Sequence, residues 1–162
     1  KKGKKSRHNL SYWRMSPYIG VGPGASSTLA SLRGPIRMVA STDIKTPTYA
    51  ATTVEPDEFL LEHLLMGLRT SEGIARTRLN RMFGVDLFPA ESASGVPSNF
   101  DRLVSDRLLT DDGDRITATN RGRQVLDSVL TGLAIDVQDL SPTISNWPFA
   151  PEGIARGDAK IE

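Results

Sequence analysis

The sequence predicts an α+β chain whose second half is mostly helical. Three observations carry this reading. Leucines recur at helical spacing from Leu60 to Leu68, and further capped, periodic segments follow as far as Leu133. The residues before Glu55 are instead rich in Ser, Thr, Pro and Gly and hold only short apolar runs. Apolar residues at i, i+3 and i+4 mark an amphipathic helix, whereas short apolar runs bounded by Gly and Pro mark strands.

In chain order, Lys1-Lys2-Gly3-Lys4-Lys5 is a solvated charge run. Tyr18 to Val21 reads as a short buried strand, stopped by Gly22-Pro23-Gly24. Ala25 to Ala51 is expected to be loop with one or two extended pieces around Ile36 to Val39. At Glu55 the character changes. Pro56 suits the first helical position, and Asp57 and Glu58 suit the positive end of the helix dipole. Leu60, Leu61, Leu64, Leu65 and Leu68 form the stripe of that helix, which ends near Arg69. A second helix is expected from Ser71 or Glu72 to Phe83, with Ile74, Leu79, Met82 and Phe83 inward and Gly84 as its C-cap. Val85 to Val96 reads as a loop anchored by Val85, Leu87 and Phe88. Ser98 caps a third helix that turns Phe100, Leu103, Val104 and Leu108 inward. Asp111-Asp112-Gly113-Asp114 is a tight-turn signature, and Arg115 to Thr119 alternates as a strand. A final helix runs from about Asn120 to Leu133 on a stripe of Val125, Leu126, Val129, Leu130 and Leu133. Three helices, a hairpin-like wing and a helix make a winged-helix-like order. From residue 136 an irregular tail is expected, holding Pro142, Trp147, Pro148 and Pro151 without periodicity.

Composition narrows the function classes. The chain has 162 residues, 38% hydrophobic and 24% charged, and a net charge of +1. A dedicated nucleic-acid binder shows a basic excess that is missing here, so no nucleic-acid partner is expected. No apolar run approaches the ~18 residues of a membrane-spanning helix. The sequence contains no cysteine. That excludes disulfides, thiolate catalysis and any cysteine-ligated zinc or iron–sulfur centre held by this chain, and it fits a cytoplasmic protein. The two histidines, His8 and His63, are too few for a multi-histidine metal site.

The chemistry-bearing stretch lies near the start. His8, Asn9, Tyr12 and Trp13 fall within six positions, followed by Tyr18-Ile19-Gly20-Val21-Gly22-Pro23-Gly24-Ala25. A neutral imidazole can ligate heme iron, and flat aromatic rings can pack a porphyrin face. Asn9 could orient the imidazole or meet a propionate. The competing reading is structural, with His8 bonded to backbone and the two aromatics filling a core. Gly20, Gly22 and Gly24 remove side chains and let a cofactor approach the backbone. They are neither a dinucleotide fingerprint, because Ala25 stands where a third glycine belongs, nor a P-loop, because no Gly-Lys-Ser/Thr follows. His63 lies beside the leucine stripe, and an exposed or half-exposed helical histidine is expected. Arg69 and Glu72 are expected to pair with each other or across domains. Asp111 to Asp114 lacks calcium-loop spacing.

His8-Asn9-x-x-Tyr12-Trp13 with Tyr18-Ile19-Gly20-x-Gly22-x-Gly24-Ala25 resembles the oxygen-independent coproporphyrinogen III oxidase-like radical SAM proteins. Within them it looks most like the HemW-type heme chaperones, whose hallmark is an H-N-x-x-Y-W element. Glu62 to Gly73 resembles the family's stretch ending in L-R-x-x-E-G, and Leu108-Leu109 with Ile116 to Gly122 its terminal segment. The likeness covers roughly residues 6 to 135. One departure is Ser26-Ser27, where family members often carry a histidine, which puts a ligand role there in doubt.

The resemblance implies a longer parent with a radical SAM α/β barrel upstream, bearing the cysteines of a 4Fe–4S cluster and binding S-adenosylmethionine. On this reading residues 1–54 are the end of that barrel and a connecting loop, 55–135 a helical winged-helix-like domain, and 136–162 the tail. The missing barrel is then the first partner, heme or porphyrin the second, and a homodimer is left open. Unpaired barrel edges predict poor order in the first 50 residues or pairing with another chain. The implied activity of the parent is heme delivery or radical decarboxylation of coproporphyrinogen III. The fragment itself is expected to catalyse nothing. His8, Asn9, Tyr12, Trp13, Gly20, Gly22, Gly24 and Ala25 are the implied cofactor-side residues, with His8 as the metal ligand. Two rivals remain: a winged-helix DNA-binding module using Arg121 and Arg123 on phosphates, and a pure scaffold or lid.

Overall fold

A computed structural model of the chain describes residues 6–29, 31, 34–84, 86–89 and 95–144. The Lys1 to Lys5 run, Val85, and Trp147, Pro148 and Pro151 of the expected tail lie outside the described residues. The architecture is a small α+β arrangement of two three-stranded antiparallel sheets and several helices.

The chain opens with α1 (Arg7–Trp13) and passes into a meander of β1 (Ser26–Leu29), β2 (Ile36–Ala40) and β3 (Tyr49–Thr53). β2 is central, with Ser27 opposite Met38 and Met38 opposite Ala51. The expected loop therefore carries two whole strands and the start of a third, rather than one or two extended pieces. The short extended piece at Ile36 to Val39 is its middle strand. The expected buried strand at Tyr18 to Val21 is not one. Tyr18 makes a single bridge to Thr28, while Ile19 and Val21 are 74% and 93% exposed.

The second half follows as α2 (Pro56–Leu68), β4 (Ile74–Ala75), α3 (Arg76–Phe83), α4 (Asn99–Ser105), β5 (Leu109–Asp111), β6 (Arg115–Ala118), α5 (Asn120–Gln124) and α6 (Leu126–Ile144). Pro56 opens α2 with Asp57 and Glu58 in its first turn, where the peptide dipoles favour negative charge. Leu60, Leu64 and Leu68 are fully buried on α2 against Val129, Leu133 and Val137 of α6. Burying a leucine side chain contributes about 1.5–3 kcal/mol, so this helix pair anchors the core. α3, α4 and the second sheet add Leu79, Phe83, Phe100, Leu109 and Ile116 to the same cluster.

Three expectations change at their edges. The second helix starts only at Arg76, because Ile74 and Ala75 pair with Ile116 and Arg115 of β6. It ends as expected at Gly84, which is left-handed at φ 74°. The final helix is broken at Val125, which is non-helical and 42% exposed rather than part of the stripe. Beyond the break, α6 runs on to Ile144 with Pro142 in its last turns. The irregular tail expected from residue 136 is thus helical to that point, because Val137 and Ile144 are buried against the core.

Ser98 caps α4 in a reciprocal box: Asp101 N–H donates to Ser98 Oγ, and Ser98 N–H donates to Asp101 Oδ2. Asp136 of α6 reaches the same helix end and accepts from Asn99 N, Asn99 Nδ2 and Phe100 N at 3.1, 2.9 and 2.7 Å. Arg76 is nearly buried. It donates to Asp111 at 2.7 Å and to the Phe88 carbonyl, tying α3 to β5 and the loop before α4.

Candidate functional site

α1 begins at Ser6, whose Oγ accepts from Asn9 N at 3.4 Å. Helical spacing then sorts the motif onto two faces. His8 and Tyr12, four residues apart, share the outer face. Their rings meet edge-on with centroids 4.9 Å apart, and Tyr12 meets Tyr18 edge-on at 4.8 Å. Edge-to-face contact is favoured by the ring quadrupoles. His8, Asn9 and Tyr12 are all exposed, whereas Trp13 is half-buried. Trp13 and Leu10 turn inward onto a cleft bounded by α2 and β4. Arg14 closes this end of α1 through Glu72 at 2.9 Å. Met15, at φ 52°, turns the chain away and packs against the core.

The glycine segment joins this face through Tyr18. Ala25 N–H donates to the Gly22 carbonyl at 3.1 Å, with Gly24 at φ 70°. Pro23 and Gly24 thus occupy the two central positions of a β-turn whose second position requires positive φ. Gly20 is required for a different reason. A Cβ there would lie 2.2 Å from the Ser26 carbonyl oxygen, while its N–H donates to the buried Ser27 Oγ at 3.0 Å. Gly22 is exposed with open space around it, and Ala25 accepts from Ala40 N. The structure therefore brings His8, Tyr12 and Tyr18 into one aromatic array. Trp13 lies on the opposite face of α1, and the glycines shape the turn that carries the chain into β1.

His63 is the residue that the sequence misplaced. It is 5% exposed, not at the surface. The buried face of α2 is Phe59, Leu60, His63, Leu64, Gly67 and Leu68. The leucine stripe alone is offset from it by part of a turn. Phe59 and Gly67, four residues either side of His63, were the available signal. Nδ1 lies 3.0 Å from the Phe59 carbonyl oxygen, and the Phe59 ring meets the imidazole edge-on at 4.5 Å. Burial pushes its pKa down to about 4, and the positive charge of Arg78 adds to the effect.

Other expected features settle into scaffolding. Glu72 pairs with Arg14, not with Arg69, which is exposed. Arg37 of β2 bonds Glu62 at 2.5 Å and Glu58 at 3.4 Å, fastening the first sheet to α2. Arg123 donates to the Ala118 carbonyl and to Asn120 Oδ1. Asp111 and Asp112 accept from the backbone of their own turn, which holds the Asp112 carboxyl below its usual range. Among the described residues, no three His, Asp or Glu side chains are grouped to hold a metal ion.

Comparison with known proteins shows what this chain is similar to. Residues 54–125 match the model of the HemN C-terminal domain. The heme chaperone HemW of Lactococcus lactis is 25% identical, over 83% of this chain and 35% of the relative. The radical S-adenosyl methionine domain-containing protein 1, mitochondrial, of Danio rerio is 29% identical over 82% and 33%. The heme chaperone HemW of Mycobacterium tuberculosis (strain CDC 1551 / Oshkosh) is 30% identical over 81% and 32%. No solved structure matches the chain. Residues 54–125 are thus similar to a HemN C-terminal domain, and the chain is similar to a radical SAM domain-containing protein. It is similar to the HemW heme chaperones along most of its own length, and it spans about a third of the relatives' length.

Proposed function

We propose that this chain is the C-terminal part of a HemW-type radical SAM protein of porphyrin and heme metabolism, and that it presents a heme-side surface without catalysing a reaction itself. The observation that carries the reading is the outer face of α1. There an exposed imidazole, His8, stands edge-on to Tyr12, which continues to Tyr18. An accessible imidazole nitrogen beside aromatic rings suits a planar iron porphyrin. His8 is the metal ligand in this proposal, Tyr12 flanks the ring, and Asn9 meets a polar edge of the ligand. Trp13 holds the helix in place from the inner face. Gly20, Gly22, Gly24 and Ala25 form the turn next to Tyr18 and face either porphyrin or S-adenosylmethionine.

The cysteine-free sequence supplies no thiolate for a 4Fe–4S cluster, so we assign that cluster and the radical chemistry of S-adenosylmethionine to a barrel elsewhere in the parent. Residues 1–54 are proposed as the end of that barrel and its connection. Residues 55–135 are proposed as a winged-helix-like domain, with 136–162 as the following tail. The order of α2, α3 and α4, then the β5–β6 hairpin paired to β4, then helix supports this division. No helix among the described residues is long and apolar enough to cross a membrane, and lack of cysteine supports a cytoplasmic setting. Heme delivery is favoured over oxidation of coproporphyrinogen III because the H-N-x-x-Y-W element is intact and its His8, Asn9 and Tyr12 are exposed.

The test is a hemin titration of the chain and of His8→Ala, read in the Soret band. The expected result is a saturable shift in the wild type that is lost in the variant. His8 is exposed, so the substitution leaves the core intact. Equal spectra for both proteins would remove His8 as ligand and the proposed heme surface with it.

A further inference from the structure

A heme iron has two axial positions, one on each face of the macrocycle, and proteins fill them with His, Met, Cys or Tyr side chains. The outer face of α1 supplies one such ligand. His8 is exposed, and Tyr12 meets it edge-on from the same helix face. Both therefore approach a porphyrin from the same side, and the opposite axial position needs a ligand from elsewhere.

The rest of the chain does not offer one. The sequence holds two histidines, four methionines, three tyrosines and no cysteine. His63 is 5% exposed, and its Nδ1 is taken by the Phe59 carbonyl. Met82 is buried and Met15 packs against the core. Met38 lies in β2, the middle strand of its sheet, and Met66 in α2; both are half-buried. Tyr18 belongs to the array of Tyr12, and Tyr49 stands on β3, two strands from the bridge that holds Tyr18. The outer face of α1 is nevertheless open to a second molecule. Its exposed residues from His8 to Tyr12 are His8, Asn9, Ser11 and Tyr12, with no Asp, Glu, Lys or Arg among them. Two such faces meet without opposed like charges. The net charge of +1 on each copy also complements ferric heme, whose propionates leave it negative.

We propose that one heme joins two copies of this chain, with His8 of each copy as the axial ligand on its own face of the iron. The inference rests on the heme reading of α1 and names the partner that completes that site, a second copy of the chain. The two α1 helices face each other across the macrocycle, and each Tyr12 lies on the side that its own His8 ligates. Such a pair keeps the iron fully coordinated in transit. Departure of one copy frees one axial position for the ligand of a receiving protein.

The experiment adds hemin to the 162-residue chain. Mass is read by light scattering during size exclusion, and iron coordination by visible and EPR spectra. The expected result is saturation at one hemin per two chains, a doubled mass, and the low-spin spectrum of a six-coordinate ferric iron. Excess free imidazole should return the mass to that of one chain while the spectrum stays low-spin, because imidazole replaces the second His8. His8→Ala should show neither the doubled mass nor the low-spin signal; His8 is exposed, so the variant keeps its core. Saturation at one hemin per chain with unchanged mass overturns the proposal and leaves His8 as a heme ligand. A doubled mass that is present without hemin, or that survives imidazole or His8→Ala, also overturns it, since another surface then joins the copies. A wild type with no Soret shift sinks the heme reading itself, and this proposal with it.

Discussion

The buried imidazole makes stability depend on pH in a way that can be calculated. His63 keeps its neutral form in the fold down to about pH 4, against an ordinary value of 6.5 in the unfolded chain. Between these values the unfolded chain binds the extra proton, so stability rises with pH. The contribution is fully present above pH 6.5 and is lost as pH falls towards 4. At 1.36 kcal/mol per pH unit, the full difference is about 3.4 kcal/mol, and about 2 kcal/mol of it is gone at pH 5. The assay is urea unfolding followed by circular dichroism at pH 7.5 and pH 5.0. His8→Ala is carried in every protein, because His8 is the only other histidine. The exposed carboxyls of Asp43 and Asp112, held low by hydrogen bonds to their own turns, titrate below this window. The protein with His63 should lose about 2 kcal/mol between the two pH values, whereas His63→Phe should lose less than about 0.5. Equal losses in the two proteins would refute the reasoning, since the pH dependence would then come from other groups.

Two further substitutions test the packing. Asp136→Ala removes three hydrogen bonds from the start of α4 and should cost about 2–3 kcal/mol, with faster amide exchange at Phe100. A loss under about 0.5 kcal/mol would show that the Ser98 cap suffices alone. Gly122→Ala would place a Cβ 1.9 Å from the Leu108 carbonyl oxygen. Moving that backbone should cost about 3 kcal/mol and lower Tm by about 10 °C; an unchanged Tm would show that α5 can slide freely.

Local signals were legible where the chain needed only its neighbours. Pro56 with Asp57 and Glu58 marked the start of α2, Ser98 the start of α4, and Gly84 the end of α3. The first sheet was less legible. β3, Tyr49–Thr53, is exposed along its length and carries little apolar alternation, so only its pairing to β2 defines it. β4 is two residues long and exists because β6 lies beside it. Pro142 fell in the expected irregular tail, yet helix α6 reaches Ile144. A proline near a helix end gives up one N–H bond, and burial of Val137 and Ile144 outweighs that loss. At the candidate site, His8 and Tyr12 were readable as close neighbours in sequence. Tyr18 joined them only through the turn after Met15.

The sequence by itself determined the helical second half, its caps, the absence of thiolate chemistry and the likeness to the HemW-type radical SAM proteins. These follow from residue type, spacing and composition, which act over one or two helical turns or need no fold at all. Only the tertiary structure decided which face of each helix meets another. His63 shows the consequence: its exposure could not be read from a leucine stripe, because burial is set by α6, β4 and α1 closing around α2. The same closure leaves His8 in solvent on one side of α1 and puts Trp13 over the cleft on the other. Helical spacing separated those faces, and packing chose which of them turned inward.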